Sequence, residues 1–129
     1  MARAKQISAW VEDRPGMLAR VATALGEKGV SIRAFMAAVM DGRGFVRVVV
    51  DKPAAARRIF AAHGWRTTED EVVEVTVQDR PGALAEVADR LGEVGINVEY
   101  AYLGTAASAR KVNLYLAVPD VRAALSALR

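Results

Sequence analysis

Cysteine is absent from this chain of 129 residues. That excludes disulfides, thiolate zinc sites and cysteine nucleophiles, and it points to a cytoplasmic protein. Histidine occurs once, at His63, and no His, Asp and Glu cluster has metal-ligand spacing, so neither a metal site nor a cofactor is expected. Aromatic residues make up 6% of the chain, few for a sheet that stacks RNA bases. No run approaches the roughly 18 consecutive apolar residues of a membrane span. No apolar stretch of signal-peptide length follows the N-terminus. Charge of one sign is missing too: 18 basic and 15 acidic residues are interspersed and leave a net +3. A nucleic-acid binder concentrates its basic residues, whereas here the only adjacent basic pairs are Arg57-Arg58 and Arg110-Lys111. Membrane and nucleic-acid partners are therefore not expected.

What the chain has is apolar material for a core, 53% of it, and an internal repeat. Shifted by 66 residues, Val11-Glu12-Asp13-Arg14-Pro15-Gly16-Met17-Leu18-Ala19 falls on Val77-Gln78-Asp79-Arg80-Pro81-Gly82-Ala83-Leu84-Ala85. Of the 19 positions from 11 to 29, 13 are identical to their partners. All four prolines obey the same shift, Pro15 with Pro81 and Pro53 with Pro119. Proline fixes φ, so the same turns recur at the same spacing and the fold is doubled. The expected domains are residues 1–71 and 72–129.

Residues 6–12 alternate loosely and predict a strand. Asp13-Arg14-Pro15-Gly16 stops it and opens a helix, with Met17, Leu18, Val21, Ala22 and Leu25 as its apolar stripe. Gly29 is placed to end that helix in a left-handed conformation. Val30, Ile32, Ala34 and Met36 alternate as a second strand. Asp41-Gly42-Arg43-Gly44 predicts a hairpin turn into the β-branched run 45–50. Pro53 starts a second helix that carries Ile59 and Phe60 inward and ends near His63-Gly64. Polar residues 66–71 form a weak fourth strand that leads into 72–78. Copy two predicts strand 72–78, helix 81–94, strands 96–103 and 111–118, and helix 119–128. The order β-α-β-β-α-β gives an α+β, ferredoxin-like fold twice over, with antiparallel sheets and helices on one face. Copy two has no evident last strand, which leaves residues 73–78 as an apolar edge. Such an edge is normally covered, so the other module, an exchanged strand or a second chain is expected to pair there.

Asp79-Arg80-Pro81-Gly82-Ala83-Leu84-Ala85, followed by Leu91-Gly92 and Gly95-Ile96-Asn97-Val98-Glu99-Tyr100, resembles the signature of an ACT domain. Asp13-Arg14-Pro15-Gly16-Met17-Leu18 and Gly29-Val30-Ser31-Ile32 resemble it again in copy one. The resemblance covers nearly the whole chain and implies a stand-alone pair of ACT domains. Such modules are regulatory, usually bind amino acids, and commonly hold the ligand where two modules pack side by side. Carried over by position, the implied ligand-binding residues are Asp13, Arg14, Gly16, Met17, Leu18 and Ser31, with Asp79, Arg80, Gly82, Ala83, Leu84 and Asn97 in copy two. Ser31 stands where copy two has Asn97, so equal binding by the two copies is not implied.

The chemistry agrees with that placement. Helix N-termini present unpaired N–H groups that suit the carboxylate of a free amino acid. Asp13, Asp79 or the Asn97 amide oxygen would take its ammonium. Each residue also has a plainer use: the aspartates as helix caps, the glycines for the turn, and Trp10 and Trp65 as packing or interface residues. No nucleophile is paired with a base, so no catalytic residue is expected and the protein is read as a non-enzyme. The resulting expectation is a tandem regulatory module that binds an amino acid, signals by domain or subunit rearrangement, forms a homo-oligomer such as a dimer, and acts on an enzyme or transporter. The alternative is a ligand-free dimerisation module with the same kind of partner.

Overall fold

The hairpin turn is the most local element and shows how directly the chain chemistry sets the backbone. Asp41 and Gly42 both take positive φ, 52° and 76°, and Met40 pairs with Arg43 across them. Two consecutive left-handed residues match the twist of the flanking strands, and Asp and Gly tolerate that conformation. The computed structural model describes residues 1–129 throughout. Its elements are β1 (Ala2–Val11), α1 (Met17–Glu27), β2 (Ile32–Met40), β3 (Arg43–Val50), α2 (Pro53–Ala62), β4 (Arg66–Gln78), α3 (Ala83–Glu93), β5 (Tyr100–Thr105), β6 (Lys111–Ala117) and α4 (Val121–Ala127). They form an α+β chain of two βαββ units, and no helix is long and apolar enough to cross a membrane.

The first unit comprises Lys5–Asp70. In it β3 pairs antiparallel with β1 on one side and β2 on the other, with Ile7 opposite Val48 and Ala37 opposite Val46. Side chains alternate across a strand. Ile7 and Ala9 of β1 therefore share a face with Val46, Val48 and Val50 of β3, and they pack with Val21, Leu25 and Phe60 from the two helices. The opposite parity is buried as well: Gln6, Ser8, Phe45, Arg47 and Val49. There the Arg47 Nε–H donates to Ser8 Oγ at 2.9 Å, which offsets part of the cost of burying the two polar groups.

Helix α1 buries Met17, Val21, Ala24 and Leu25. Leu18, expected in the stripe, is instead 46% exposed. It lies within about 20° of the buried Leu25 round the helix but about two turns nearer the N-terminus, in the first turn. Gly29 ends the helix at φ 71° as expected. Helix α2 begins at Pro53, buries Phe60 completely, and closes through His63 and the left-handed Gly64.

The second unit comprises Glu71–Arg129 together with Met1–Ala4. The weak strand expected at 66–71 and the strand at 72–78 are one continuous strand, β4. Val73, Leu114 and Leu116 from β4 and β6 pack with Val87 and Leu91 of α3 and with Ala124 and Leu128 at α4. The strand expected at 96–103 starts only at Tyr100. Tyr100 pairs with Ala117, and Glu99 still donates its N–H to the Ala117 carbonyl at 2.8 Å. Continuing that register sets Val98 opposite Pro119, which has no N–H to give, so the ladder stops. Helix α4 is capped by Asp120, whose carboxylate accepts the Ala123 N–H at 3.0 Å. Met1–Ala4 is the segment that joins this unit from the far end of the chain, and Arg3 ion-pairs with Glu71 at 2.9 Å.

Candidate functional site

Strand β1 ends at Val11 and the chain must reverse before α1. It does so over Asp13-Arg14-Pro15-Gly16, with Gly16 as the residue before the helix at φ 89° and ψ −6°. Gly82 stands before α3 at φ 87° and ψ −8°, the same turn made a second time. A Cβ at Gly16 would meet nothing within 4 Å, so glycine is required there by the torsion and not by crowding.

Neither helix start is closed by a side chain. In α1 the first internal bond runs from Arg20 N–H to the Gly16 carbonyl at 3.0 Å, leaving the amides of Met17, Leu18 and Ala19 open. In α3 the Glu86 N–H reaches the Gly82 carbonyl at 3.1 Å and Ala83 reaches Arg80 at 3.3 Å, leaving Leu84 and Ala85. The capping use of Asp13 and Asp79 is thus corrected: the residue before each helix is glycine, and no carboxylate bonds to the helix amides. Open amides and the helix dipole favour an anion at both places.

At the first of these starts lies a cleft of about 840 Å³. Its walls are Trp10 and Val11 at the end of β1, the loop Glu12-Asp13-Arg14, Met17 and Arg20 of α1, Gly42 and Arg43 of the hairpin, and His63-Gly64-Trp65-Arg66 between α2 and β4. All of them belong to the first unit. The Trp10 indole N–H donates to Thr68 Oγ1 at 3.1 Å, and its ring lies 5.3 Å from that of Phe45. The Arg66 guanidinium sits 5.9 Å from the centre of the Trp10 ring. Trp65 stacks on His63 at 4.6 Å, meets Phe60 edge-on at 5.9 Å, and carries the Arg20 guanidinium at 5.8 Å. A cation over an indole face is attracted by the ring quadrupole and loses some of its freedom.

Four arginines line the cleft against two carboxylates, Glu12 and Asp13. Arg14 is neutralised by Glu12 at 2.9 Å. Arg20, Arg43 and Arg66 have no carboxylate within salt-bridge distance. The cleft is therefore electropositive, and no group of three His, Asp or Glu side chains is placed to hold a metal ion.

Of the residues singled out from sequence, Asp13, Arg14 and Met17 line the cleft and Gly16 makes its turn, while Leu18 points to solvent. Ser31 lies past the other end of α1, eleven residues or about 16 Å away. Its N–H donates to the Asp51 carboxylate at 2.9 Å. Within the second unit Gly82 makes the turn, Ala83 is buried, and Leu84 is exposed. Asp79 anchors the loop through its N–H to the Arg110 carbonyl at 2.9 Å. Arg80 is committed to both Glu86 oxygens at 2.7 and 2.9 Å. Asn97 is exposed and again separated from this turn by the helix, α3. Sequence reasoning missed Trp10, Arg20, Arg43, His63, Trp65 and Arg66 as cleft residues. The available signal was their departure from the repeat: shifted by 66, Trp10 becomes Thr76, Arg20 becomes Glu86 and His63 becomes Arg129.

The ACT domain family model matches residues 5–63 and again 72–126. Among solved structures, protein BT0572 of Bacteroides thetaiotaomicron is 25% identical with a TM-score of 0.86, over 98% of this chain and 86% of that one. The ligand-free regulatory subunit of aspartate kinase from Thermus thermophilus is 20% identical with a TM-score of 0.69, over 99% and 95%. The corresponding subunit from Thermus flavus is 21% identical with a TM-score of 0.60, over 98% and 93%. These two likenesses concern the fold. No curated protein matches the sequence.

Proposed function

Because the chain belongs to the ACT domain family, twice over, we propose that it is a regulatory module that binds a free amino acid. The ligand sits at the loop-bearing end of a module, and the signal passes by rearrangement of modules or subunits to a regulated enzyme or transporter. Each unit is read as a ferredoxin-like module, and the residues proposed to bind are those of the Asp-Arg-Pro-Gly turns and the helix starts behind them. The observation that carries this reading is the uncapped helix start, made twice with the same left-handed glycine. Of the other two helices, α4 is closed by Asp120, and α2 starts at Pro53, which has no N–H to leave open. Sensing requires that the ligand bind one of two states more tightly than the other.

Calorimetric titration of the intact chain with each of the twenty amino acids tests it. Saturable heat with one of them, or a few of similar shape, is expected. Silence from all twenty with the protein folded would count against a sensor. It would favour a second reading, a dimerising or docking module that works without a ligand. Phe35, Val39 and Met40, each more than half exposed on β2, are what support that alternative.

A further inference from the structure

We propose that the cleft of the first unit takes a dicarboxylate, and that on the sensor reading its ligand is an acidic amino acid. The inference rests on that reading for the ammonium and on the cleft's own charges for the two carboxylates. A single carboxylate is satisfied by one guanidinium or by a helix start. This cleft offers more than that. Arg20, Arg43 and Arg66 come from three different segments, face one cavity and lack acidic partners. Two of them are held over indole rings, Arg20 at 5.8 Å from Trp65 and Arg66 at 5.9 Å from Trp10. Those rings limit the rotamers the arginines must give up on binding, which favours a bidentate grip on a planar carboxylate.

The open amide of Met17 adds a further donor at the cleft wall. Asp13 decides between kinds of dianion. Its carboxylate lines the cleft and engages no cation within salt-bridge distance. It repels a phosphate but suits an ammonium beside a carboxylate. The second unit cannot do the same, because Arg20 is replaced by Glu86, which already holds Arg80 in a two-pronged ion pair. The site is accordingly single within the chain.

The chain carries its own reporter. Its only two tryptophans, Trp10 and Trp65, both line this cleft. Tryptophan emission of the intact chain is titrated with L-glutamate, L-aspartate, succinate, L-leucine and pyrophosphate at constant ionic strength. A saturable change is expected with one of the acidic amino acids, weaker with succinate and absent with L-leucine and pyrophosphate. Arg20→Gln and Arg66→Gln, each shown to be folded by circular dichroism, are expected to weaken it by about tenfold or more, the scale of one lost charge-assisted contact. Arg122→Gln on α4 is expected to leave it unchanged. The proposal is overturned if neither acidic amino acid moves the emission, if pyrophosphate alone does, or if the response survives both cleft substitutions. Calorimetric binding of a neutral or basic amino acid with unmoved tryptophan emission would overturn this site while leaving the sensor reading intact. Silence from all twenty amino acids would remove both.

Discussion

The two units make one turn and surround it differently. At Gly16 and at Gly82 the backbone torsions agree within two degrees. Around Gly16 stand two indoles, an imidazole and three arginines without acidic partners. Around Gly82 the single arginine of the turn is folded back onto Glu86, and no tryptophan is present in that half of the chain. A duplicated backbone thus preserves the helix start, which is a matter of torsion and amides. The side chains around the start differ between the two copies. The cores diverge as well: Phe60, wholly buried in the first unit, has Ser126 at the corresponding position in α4.

The difference in cores gives the largest expected effect. Phe60→Ala should destabilise the protein by about 3–5 kcal/mol through the cavity it leaves. A urea titration followed by far-ultraviolet circular dichroism measures this, and a loss below about 1 kcal/mol would mean that the first unit does not depend on that ring. Next come the twin turns. Gly16→Ala and Gly82→Ala force a side chain into φ 89° and 87°, and each should cost about 1–2 kcal/mol. Equal costs in thermal melts would confirm that the turn is the same device in both units; a free substitution at one of them would break the equivalence.

The helix starts separate more finely. Asp120→Ala removes the side-chain cap of α4 and should cost about 1 kcal/mol by the same denaturation assay. Lys52→Ala at the start of α2, where no side chain caps and Pro53 fixes the first turn, should cost only a few tenths. A comparably small effect belongs to the ion pair that distinguishes the second turn. Arg80 and Glu86 are 49% and 64% exposed, so Arg80→Ala should change stability by less than about 1 kcal/mol, and less still at high salt. A larger cost would show that the pair holds the second turn in shape and does not merely occupy its arginine.

Much of this was legible in the sequence because it is carried by single residues with strong local preferences. Pro15 and Pro81, Gly29 and Gly95, and the Asp41-Gly42 pair mark turns whichever way the chain then packs. The apolar periodicity of Val21, Leu25, Val87 and Leu91 names the buried faces of both long helices. What was not legible depends on contacts between distant segments. Trp10 meets Thr68 and Arg66, and Trp65 meets Arg20, only once α1 and the start of β4 lie beside the end of β1. A strand's exact start likewise depends on its partner, as Pro119 shows by ending the ladder that Val98 would have joined. Asp13 was legible as a polar loop residue, but its separation from the helix amides was set by Gly16, two steps beyond Arg14.

The most direct test of a ligand held at a helix start is residue by residue. Amide chemical shifts of the nitrogen-15-labelled chain, titrated with the amino acid that gives heat in calorimetry, should move most at Met17, Leu18 and Ala19 or at Leu84 and Ala85, where the N–H groups lack partners. Shifts confined to other parts of the fold, with those five amides unmoved at saturation, would contradict the account.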